Sequence, residues 1–360
     1  MEQKKVAIVA EWMTSRGGAE KVVLELARIF PKADIFTTVY NQKIFPELKN
    51  RRVKTSFLQK VPYFNHHHQL LLPLLPKAIE SLNLAPYDLI ISSSSAVGKG
   101  IKKPKRSVHV CYCHTPMRWV WQTDLDRRLI RLPFGKAMIG WLKKWDLKTN
   151  QGVDLFLCNS NFTKQRIKDF YKIDAKVIYP PAISKDDVDL KEETKNSRGD
   201  FYFAISRLVP YKRFDLAIDA CNLLQKNLII AGAGPDEKHL KRIAGRTVTF
   251  VGRSDEEMKK KLFQTCKAVI FPSEEDLGIV PIEAQAAGAP VVAYSKGGTR
   301  ETVIDGKTGA LFGKQEIKSI IEAIERLEKS DFSEREIKEN SLKFTKEKFE
   351  EEILEIIKNL

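Results

Sequence analysis

Short, almost wholly apolar runs alternate along this chain with longer segments in which apolar and polar residues mix at helical spacing. Runs without polar alternation are typical of strands that are buried on both faces of a parallel sheet. The repeated change from strand to helix predicts the α/β class. Strands are predicted at 5–10, 34–40, 87–92, 106–113, 153–160, 176–181, 201–205, 227–231, 247–251, 267–271, 290–293 and 309–312.

A polar stretch at 184–200 interrupts this alternation and contains few large apolar residues. Such composition is typical of a linker between domains. At 360 residues the chain is long enough for two domains of ordinary size. We therefore expect one α/β domain over 1–183 and a second over 184–342, with a charged helical segment after 330.

Composition is that of a globular protein, with 43% apolar and 30% charged residues. Five cysteines, at 111, 113, 158, 221 and 266, form no Cys-x-x-Cys pair, which favours a reducing compartment over a disulfide framework. The apolar run near the N-terminus is too short for a signal peptide, and no run approaches the length of a spanning helix. A cytoplasmic location is expected.

The net charge of +15 is concentrated in one region. Residues 51–150 hold 18 Lys and Arg against 5 Asp and Glu, a net charge of +13. Cations there flank an aromatic and leucine-rich run at 62–76, which fits either a surface that lies on an anionic bilayer or a pair of core helices. The three histidines at 66–68 could suggest a metal site, but adjacent helical side chains point in different directions, and no metal is expected.

The stretch 272–290 predicts strand, loop and helix, with Glu275 on the loop and Glu283 in the first turns of the helix. Gly278 permits a ligand to approach the backbone closely. Amides near Ile279 and Val280 would form an anion site at the helix start. Phosphate on these amides and hydroxyls on the carboxylates would make a site for a sugar diphosphate. The alternative is that both acids are ordinary surface residues.

Two cations follow the strand at 201–205. Arg207 and Lys212 could converge on one diphosphate and neutralise it in place of a metal, although two solvent-facing bases are the simpler alternative. The Gly-x-Gly at 232–234 lacks a third small residue and is weak as a nicotinamide fingerprint.

In the first half, His114 follows the strand at 106–113, at the sheet edge where ligands bind in open parallel sheets. Gly17 and Gly18 precede a helix predicted over 19–30, which fits either an anion-binding loop or a simple tight turn.

The stretch 272–290 resembles the E-x7-E segment of retaining glycosyltransferases of family 4, and 291–309 resembles the next turns of that family. Cys-His-Thr-Pro-Met-Arg at 113–118 resembles its subgroup of O-antigen mannosyltransferases. The resemblance covers nearly the whole chain. It implies the GT-B fold, with two Rossmann-like domains facing across a cleft, acceptor on the first, nucleotide sugar on the second, and a last helix at about 343–360 that returns to the first domain.

The same resemblance implies residue roles. Arg207 and Lys212 would bind the diphosphate, Glu283 the ribose and Glu275 the sugar hydroxyls, with Gly278 admitting amides to the ligand. The remaining roles are His114 over the transferred sugar, Gly17 and Gly18 at the diphosphate and acceptor, and Arg253 at the base. The reaction would retain the anomeric configuration, with the leaving phosphate assisting the acceptor's proton loss. No metal or cofactor is required, and the Asp-x-Asp pairs at 124–126 and 187–189 are interpreted as incidental.

The subgroup tilts the donor toward GDP-mannose. The basic first domain suggests a lipid-linked or oligosaccharide acceptor, an anionic membrane surface as partner, and a peripheral position at the inner face of the cell membrane; no nucleic-acid partner is expected. Three alternatives stay open: a UDP-sugar donor, a sugar-nucleotide epimerase or phosphorylase of the same fold, and a basic membrane-binding module without activity.

Overall fold

The structure, a computed structural model, describes residues 4–61, 72–123, 129–130, 134–190 and 198–360. The chain forms two compact units. One comprises Met1–Pro181 together with Phe349–Leu360, and the other comprises Ala182–Lys348. The sequence analysis predicts a division after 183 and a return of the chain to the first domain at about 343, and both predicted bounds lie within about six residues of those in the structure.

The described residues of the first unit contain seven strands. These are β1 (Val6–Ala10), β2 (Asp34–Thr37), β3 (Val53–Thr55), β4 (Leu89–Ser94), β5 (Val108–Cys113), β6 (Leu155–Cys158) and β7 (Lys176–Val177). They form one parallel sheet in the order β3-β2-β1-β4-β5-β6-β7. The sequence analysis missed β3, and β2 ends earlier than the predicted run of 34–40.

Helices cover both faces of this sheet. They are α1 (Gly18–Ile29), α2 (Leu75–Glu80), α3 (Arg118–Trp121), α4 (Gly135–Thr149) and α5 (Asn161–Tyr171). Successive residues of β1 alternate between two apolar layers, with Ala7 and Val9 in one and Ile8 and Ala10 in the other. This alternation explains why the strand is apolar throughout.

In the second unit, the part of the chain that the structure describes contains six strands. They are β8 (Phe201–Ile205), β9 (Asn227–Ala231), β10 (Val248–Gly252), β11 (Ala268–Phe271), β12 (Val291–Tyr294) and β13 (Gly309–Phe312). They form a parallel sheet in the order β10-β9-β8-β11-β12-β13. Each begins and ends within one residue of its predicted bounds.

Helices again cover both faces. They are α6 (Phe214–Leu224), α7 (Glu237–Ile243), α8 (Glu256–Thr265), α9 (Ile279–Ala286), α10 (Thr299–Thr302), α11 (Ile317–Lys329) and α12 (Glu334–Ser341). Ala268 and Ile270 of β11 belong to one apolar layer, and Val269 and Phe271 to the other. The α/β class predicted from the alternation of apolar runs is confirmed.

The last helix, α13 (Lys346–Lys358), ends the chain within the first unit. Phe349, Ile353 and Ile356 lie in the apolar layer that contains α1, and the Phe349 ring meets Tyr112 of β5 edge-on at 5.7 Å. The predicted return of the last helix is therefore confirmed.

The leucine-rich run of the first unit is only partly described. Residues 62–71, which include the histidines at 66–68, lie outside the described residues. Leu72, Leu75 and Ile79 are buried in the core of the first unit. These three residues fit the core alternative, whereas Leu74 of the same run is exposed, so the bilayer-surface alternative stays a prediction.

Within the described parts of the chain, no helix is long and apolar enough to cross a membrane. All five cysteines are buried thiols. Burial raises the pKa of Cys111, Cys221 and Cys266 to about 12 each, so these thiols stay protonated at neutral pH.

Candidate active site

The predicted donor residues of the second unit follow the carboxyl ends of its strands. Arg207 comes two residues after β8, Arg253 directly after β10, and Glu275 four residues after β11. Because all six strands are parallel, these ends meet at one edge of the sheet, where open α/β sheets bind ligands.

Lys212 and Glu275 form an ion pair across this edge. The Nζ of Lys212 donates to Oε1 of Glu275 at 2.5 Å, although the residues are 63 positions apart. Both side chains are largely buried. Lys212 ends the short helical turn Pro210–Lys212 that connects β8 to α6. The sequence analysis predicts that Lys212 binds the diphosphate and Glu275 the sugar hydroxyls. In the structure the two side chains are in direct contact.

Two glycines lock the Glu275 loop in place. The Gly298 N–H donates to the Glu275 carbonyl at 2.9 Å, and Gly297 pairs with Glu275 as an isolated bridge. Gly297 has φ of +88°, and a Cβ there would lie 2.3 Å from the Glu275 carbonyl oxygen. Only glycine meets both requirements. The carboxylate therefore projects from a backbone with little freedom to move.

Helix α9 starts immediately after this loop. Gly278 is its N-cap, with φ of +90°, and Ile279 and Val280 are its first residues. Pro281 occupies the third helical position, which has no N–H partner within a helix in any case. The predicted arrangement of strand, loop and helix is present, and the amides at the helix start face the same sheet edge as Glu275.

Glu283 has a partner that the sequence analysis missed. Lys259 of α8 donates to Glu283 at 3.2 Å and also pairs with Glu256 at 2.7 Å. Burial lowers the pKa of Lys259, but the two carboxylates more than compensate, and the net shift is upward. Lys259 is therefore a fixed cation that orients Glu283. Three consecutive lysines start at this position, so nothing in the sequence distinguishes it.

The other two predicted donor cations also follow strand ends of this sheet. Arg207 and Arg253 are exposed, and neither forms an ion pair with a residue in the described ranges. Arg207 lies on a loop held by the Gly-x-Gly turn, because a Cβ at Gly232 would lie 1.9 Å from the Ser206 carbonyl oxygen. That glycine has φ of +132°, so it serves close loop packing.

In the first unit, His114 directly follows β5. Its Nε2 lies 2.8 Å from the Ser93 hydroxyl, and its ring meets Tyr112 edge-on at 5.1 Å. Its carbonyl accepts hydrogen bonds from the Asn159 amide at 3.1 Å and the Thr163 hydroxyl at 3.3 Å. The imidazole is half-buried and held in one orientation at the carboxyl edge of the sheet.

Glu11 is a buried acid that the sequence analysis did not assign. It directly follows β1, and its carboxylate accepts the N–H groups of Ser95, Ala96 and Gly98 and the Ser95 hydroxyl. Burial raises its pKa more than these hydrogen bonds lower it. Glu11 thus ties together the loops that follow β1 and β4. The sequence did contain a signal for this residue, because an acid that directly follows a buried strand lies at the sheet edge where ligands bind.

Gly17 and Gly18 begin α1, with Gly17 as its extended N-cap. A Cβ on Gly17 would lie 2.9 Å from an Oε of Glu20. Burial raises the pKa of Glu20 to about 7, the nearby Glu11 adds to the rise, and backbone N–H groups oppose it. The helix start predicted as an anion site therefore already holds a carboxyl group of this chain, which is part protonated at neutral pH.

Within the described ranges, no cluster of three His, Cys, Asp or Glu side chains is placed to hold a metal ion. The Asp-x-Asp pair at 124–126 lies outside the described residues. In the second pair, Asp187 accepts the Ser184 N–H in a capping box. That a metal is not required stays a prediction.

Two family models match the chain. The model for Glycosyltransferase Family 4 matches residues 16–182, and the model for Glycosyl transferases group 1 matches residues 185–344. Together these matches span most of both units.

Among curated proteins, several relatives carry the name alpha-1,3/1,6-mannosyltransferase ALG2, and three of them are described here. Those of Dictyostelium discoideum and Homo sapiens are each 29% identical, over 56% and 67% of this chain. That of Kluyveromyces lactis is 26% identical over 85% of this chain. The matches span 57%, 62% and 72% of the relatives' own lengths, respectively.

Solved structures share the fold. Anabaena HepE in complex with UDP has a TM-score of 0.71 and 20% identity, covering 99% of this chain and all of that one. Sucrose-phosphate synthase from Thermosynechococcus elongatus has a TM-score of 0.71 and 16% identity, covering 99% of each chain. With two parallel Rossmann-like sheets, the sequence motifs at their carboxyl edges and both family models in agreement, this chain belongs to the GT-B glycosyltransferases of the family 4 and group 1 type.

Proposed function

We propose that this protein is a retaining mannosyltransferase that moves mannose from GDP-mannose to a lipid-linked glycan. The observation that carries the proposal is the Lys212–Glu275 pair beside the start of α9. It offers a cation, a carboxylate and the amides of a helix start within one short segment of sheet edge. A sugar diphosphate has the matching groups, which are phosphate oxygens and hydroxyls. The mannosyltransferase name of the three curated relatives supports the choice of sugar.

The proposed donor site divides the ligand among charged groups. Lys212, Arg207 and the amides of Ile279 and Val280 take the diphosphate, and Glu275 takes hydroxyls of the transferred sugar. Glu283, oriented by Lys259, takes the ribose hydroxyls. Arg253 and its loop take the base. Cations and amides in fixed positions stabilise the charge that develops on the leaving diphosphate, which is the part a metal plays in other transferases.

The proposed reaction proceeds on one face of the sugar. The bond between the anomeric carbon and the phosphate oxygen breaks as the acceptor oxygen bonds to that carbon from the same side. The acceptor's hydroxyl proton passes to an oxygen of the departing phosphate. No carboxylate of the chain is assigned as a covalent nucleophile. His114 is proposed to contact the transferred sugar, with Gly17 and Gly18 near the diphosphate and acceptor. Neither metal nor cofactor has a role.

The proposed setting is the cytoplasmic face of a membrane, with the chain attached peripherally. The excess of cations in residues 51–150 supports an anionic lipid surface as the partner.

Two measurements test the donor and the outcome together. Thermal unfolding is followed with GDP, UDP and ADP and their sugar conjugates, with and without EDTA; ligand at about 100 times its dissociation constant stabilises by about 2.7 kcal/mol. The anomeric configuration of the transferred sugar is then determined by NMR. We expect stabilisation by GDP and GDP-mannose that EDTA does not change, and an α-linked mannose product.

Stabilisation by UDP species alone would overturn GDP-mannose as the donor and keep the transferase. A β-linked product would overturn retention. Conversion of the donor without an acceptor would favour an epimerase, and no response to any nucleotide would overturn the proposal as a whole.

A further inference from the structure

The inner face of helix α4 (Gly135–Thr149) packs on the core of the first unit. Its tryptophan and aspartate side chains form hydrogen bonds and an ion pair there. Leu142 is buried, and Trp145 packs on the same core while its indole N–H donates to Glu80 at 2.6 Å. Asp146 is fully buried, pairs with Lys99 at 2.8 Å and accepts the Trp121 indole N–H at 2.7 Å. These contacts fix the rotation of the helix about its own axis.

The outer face of α4 exposes large apolar side chains. Phe134, the N-cap residue, is 88% exposed, Trp141 is 45% exposed and Leu147 is 42% exposed. Phe134 and Trp141 are seven residues apart, which is close to two helical turns, so they share one side of the helix. Leu147 comes six residues after Trp141, about a third of a turn around the helix, and Lys144 and Lys148 project between the two. Single exposed apolar residues are common, but several that border one exposed helix face mark an interaction surface.

Cations without described partners accompany this patch. Lys136, Lys144 and Lys148 are exposed, and none forms an ion pair with another residue in the described ranges. The single acid of the helix, Asp146, is buried and paired with Lys99. The outer face of α4 therefore combines apolar side chains with charges of one sign.

The outer face of α11 (Ile317–Lys329), in the second unit, differs from that of α4 in its surface charges. It carries both signs, and Lys318 faces Glu322 one turn away. Such a mixed surface is typical of a solvated helix. Aromatic side chains interleaved with unpaired lysines are typical instead of helices that lie in the interface of an anionic bilayer.

We propose that the outer face of α4 is the surface by which this protein lies on an anionic membrane. Phe134, Trp141 and Leu147 enter the boundary between headgroups and acyl chains. Lys136, Lys144 and Lys148 contact lipid phosphates, with their aliphatic stems along the apolar side chains. The inference rests on the proposed membrane setting but on no assumption about donor or sugar. It places the membrane contact on a helix 50 residues beyond the stretch 51–84, in which most of the described leucines are core residues.

Vesicle flotation of the full-length chain tests the surface. The vesicles are phosphatidylcholine alone or phosphatidylcholine mixed with phosphatidylglycerol, at low and at high salt. We expect flotation with the anionic vesicles only, weakened by salt. Trp141→Ser with Phe134→Ser, or Lys144→Glu with Lys148→Glu, should each lower the partition coefficient by about tenfold or more. Trp141→Phe should bind nearly as wild type.

The matched control is Leu223→Ser, which removes a leucine that is 68% exposed on α6 of the second unit. It should float as wild type. Equal flotation of the α4 double variants and wild type, equal flotation with neutral and anionic vesicles, or no flotation of wild type would each overturn the inference. Stabilisation by GDP, measured on the same variants, should be unchanged, so failure of the membrane surface and failure of the donor site are distinguishable.

Discussion

The ammonium of Lys212 and the carboxylate of Glu275 lie 2.5 Å apart, and they belong to loops that follow two adjacent strands, β8 and β11. Each is the other's counter-ion in a largely buried position. A ligand that binds either side chain separates the pair, so it must offer an anionic group to Lys212 and hydrogen-bond donors to Glu275. A sugar diphosphate does so, because its phosphate replaces the carboxylate at Lys212 and its hydroxyls replace the ammonium at Glu275.

The first prediction separates these two roles. Lys212→Met should raise the dissociation constant for GDP about tenfold to a hundredfold, since a hydrogen bond to a charged group contributes about 1.5–3 kcal/mol. Glu275→Gln should leave GDP affinity near wild type and lower the rate of sugar transfer. Calorimetric titration with GDP and a transfer assay measure the two effects. Lys318→Met, an exposed cation of α11, is the control, and wild-type affinity in Lys212→Met would contradict the assignment.

The second prediction concerns Glu283 and Lys259. If Glu283 holds the ribose, GDP should bind more tightly than 2′,3′-dideoxy-GDP by about tenfold to a hundredfold. Glu283→Gln should remove most of this preference. Lys259→Met should weaken it partly, because Lys259 acts only by orienting the carboxylate. Lys260→Met, which changes the next and exposed lysine, should keep the full preference. An unchanged preference in Glu283→Gln would show that the ribose is bound elsewhere.

The third prediction uses a pair of glycines with similar backbones. Gly297 and Gly306 have φ of +88° and +76°, but only Gly297 is crowded, by the carbonyl oxygen of Glu275. Gly306→Ala should cost about 1–2 kcal/mol, the penalty of a left-handed conformation. Gly297→Ala should cost more than that and should also weaken donor binding, because the Glu275 loop must shift. Urea denaturation measures the first effect and titration with GDP-mannose the second. Equal costs at the two positions would mean that the loop adapts freely.

The fold of the second unit was predictable from the sequence to within a residue at each strand. Most of its strands are largely buried apolar runs, and such runs stand out against polar loops. In the first unit, β3 was missed because it is three half-buried residues with Lys54 at its centre, inside a cationic stretch. A short edge strand with a charge lacks the apolar signal on which the prediction depends.

The pairings within the site were not predictable. Lys212 and Glu275 are 63 positions apart, and only the order of strands brings them together. Similarly, Trp141 and Trp145 differ by one turn of the same helix, yet one is exposed and the other donates to Glu80 in the core. Residues one turn apart lie on the same side of a helix, so the helical pattern predicts the same environment for both indoles, and only the packing of neighbouring elements separates them.

The fourth prediction follows from the buried acid at the start of α1. The pKa of Glu20 is about 7 in the folded chain and near its ordinary value of 4.5 when unfolded. Between these values the folded state keeps a proton that the unfolded state releases, so this group's contribution to stability is present below about pH 4.5 and is lost as pH rises through 7. Glu20→Gln cannot ionise and avoids that loss.

Relative to wild type, the free energy of unfolding of Glu20→Gln should therefore rise through this window, by at most about 3 kcal/mol. Urea denaturation over a pH series measures the difference. Glu25→Gln on the same helix is the control, because it removes an ion pair with Arg28 at 2.7 Å and gains nothing as pH rises. A difference between Glu20→Gln and wild type that does not change with pH would mean that Glu20 ionises normally. The carboxyl group would then be an ordinary helix cap, and the start of α1 would be a negative surface at neutral pH, where a diphosphate would be repelled.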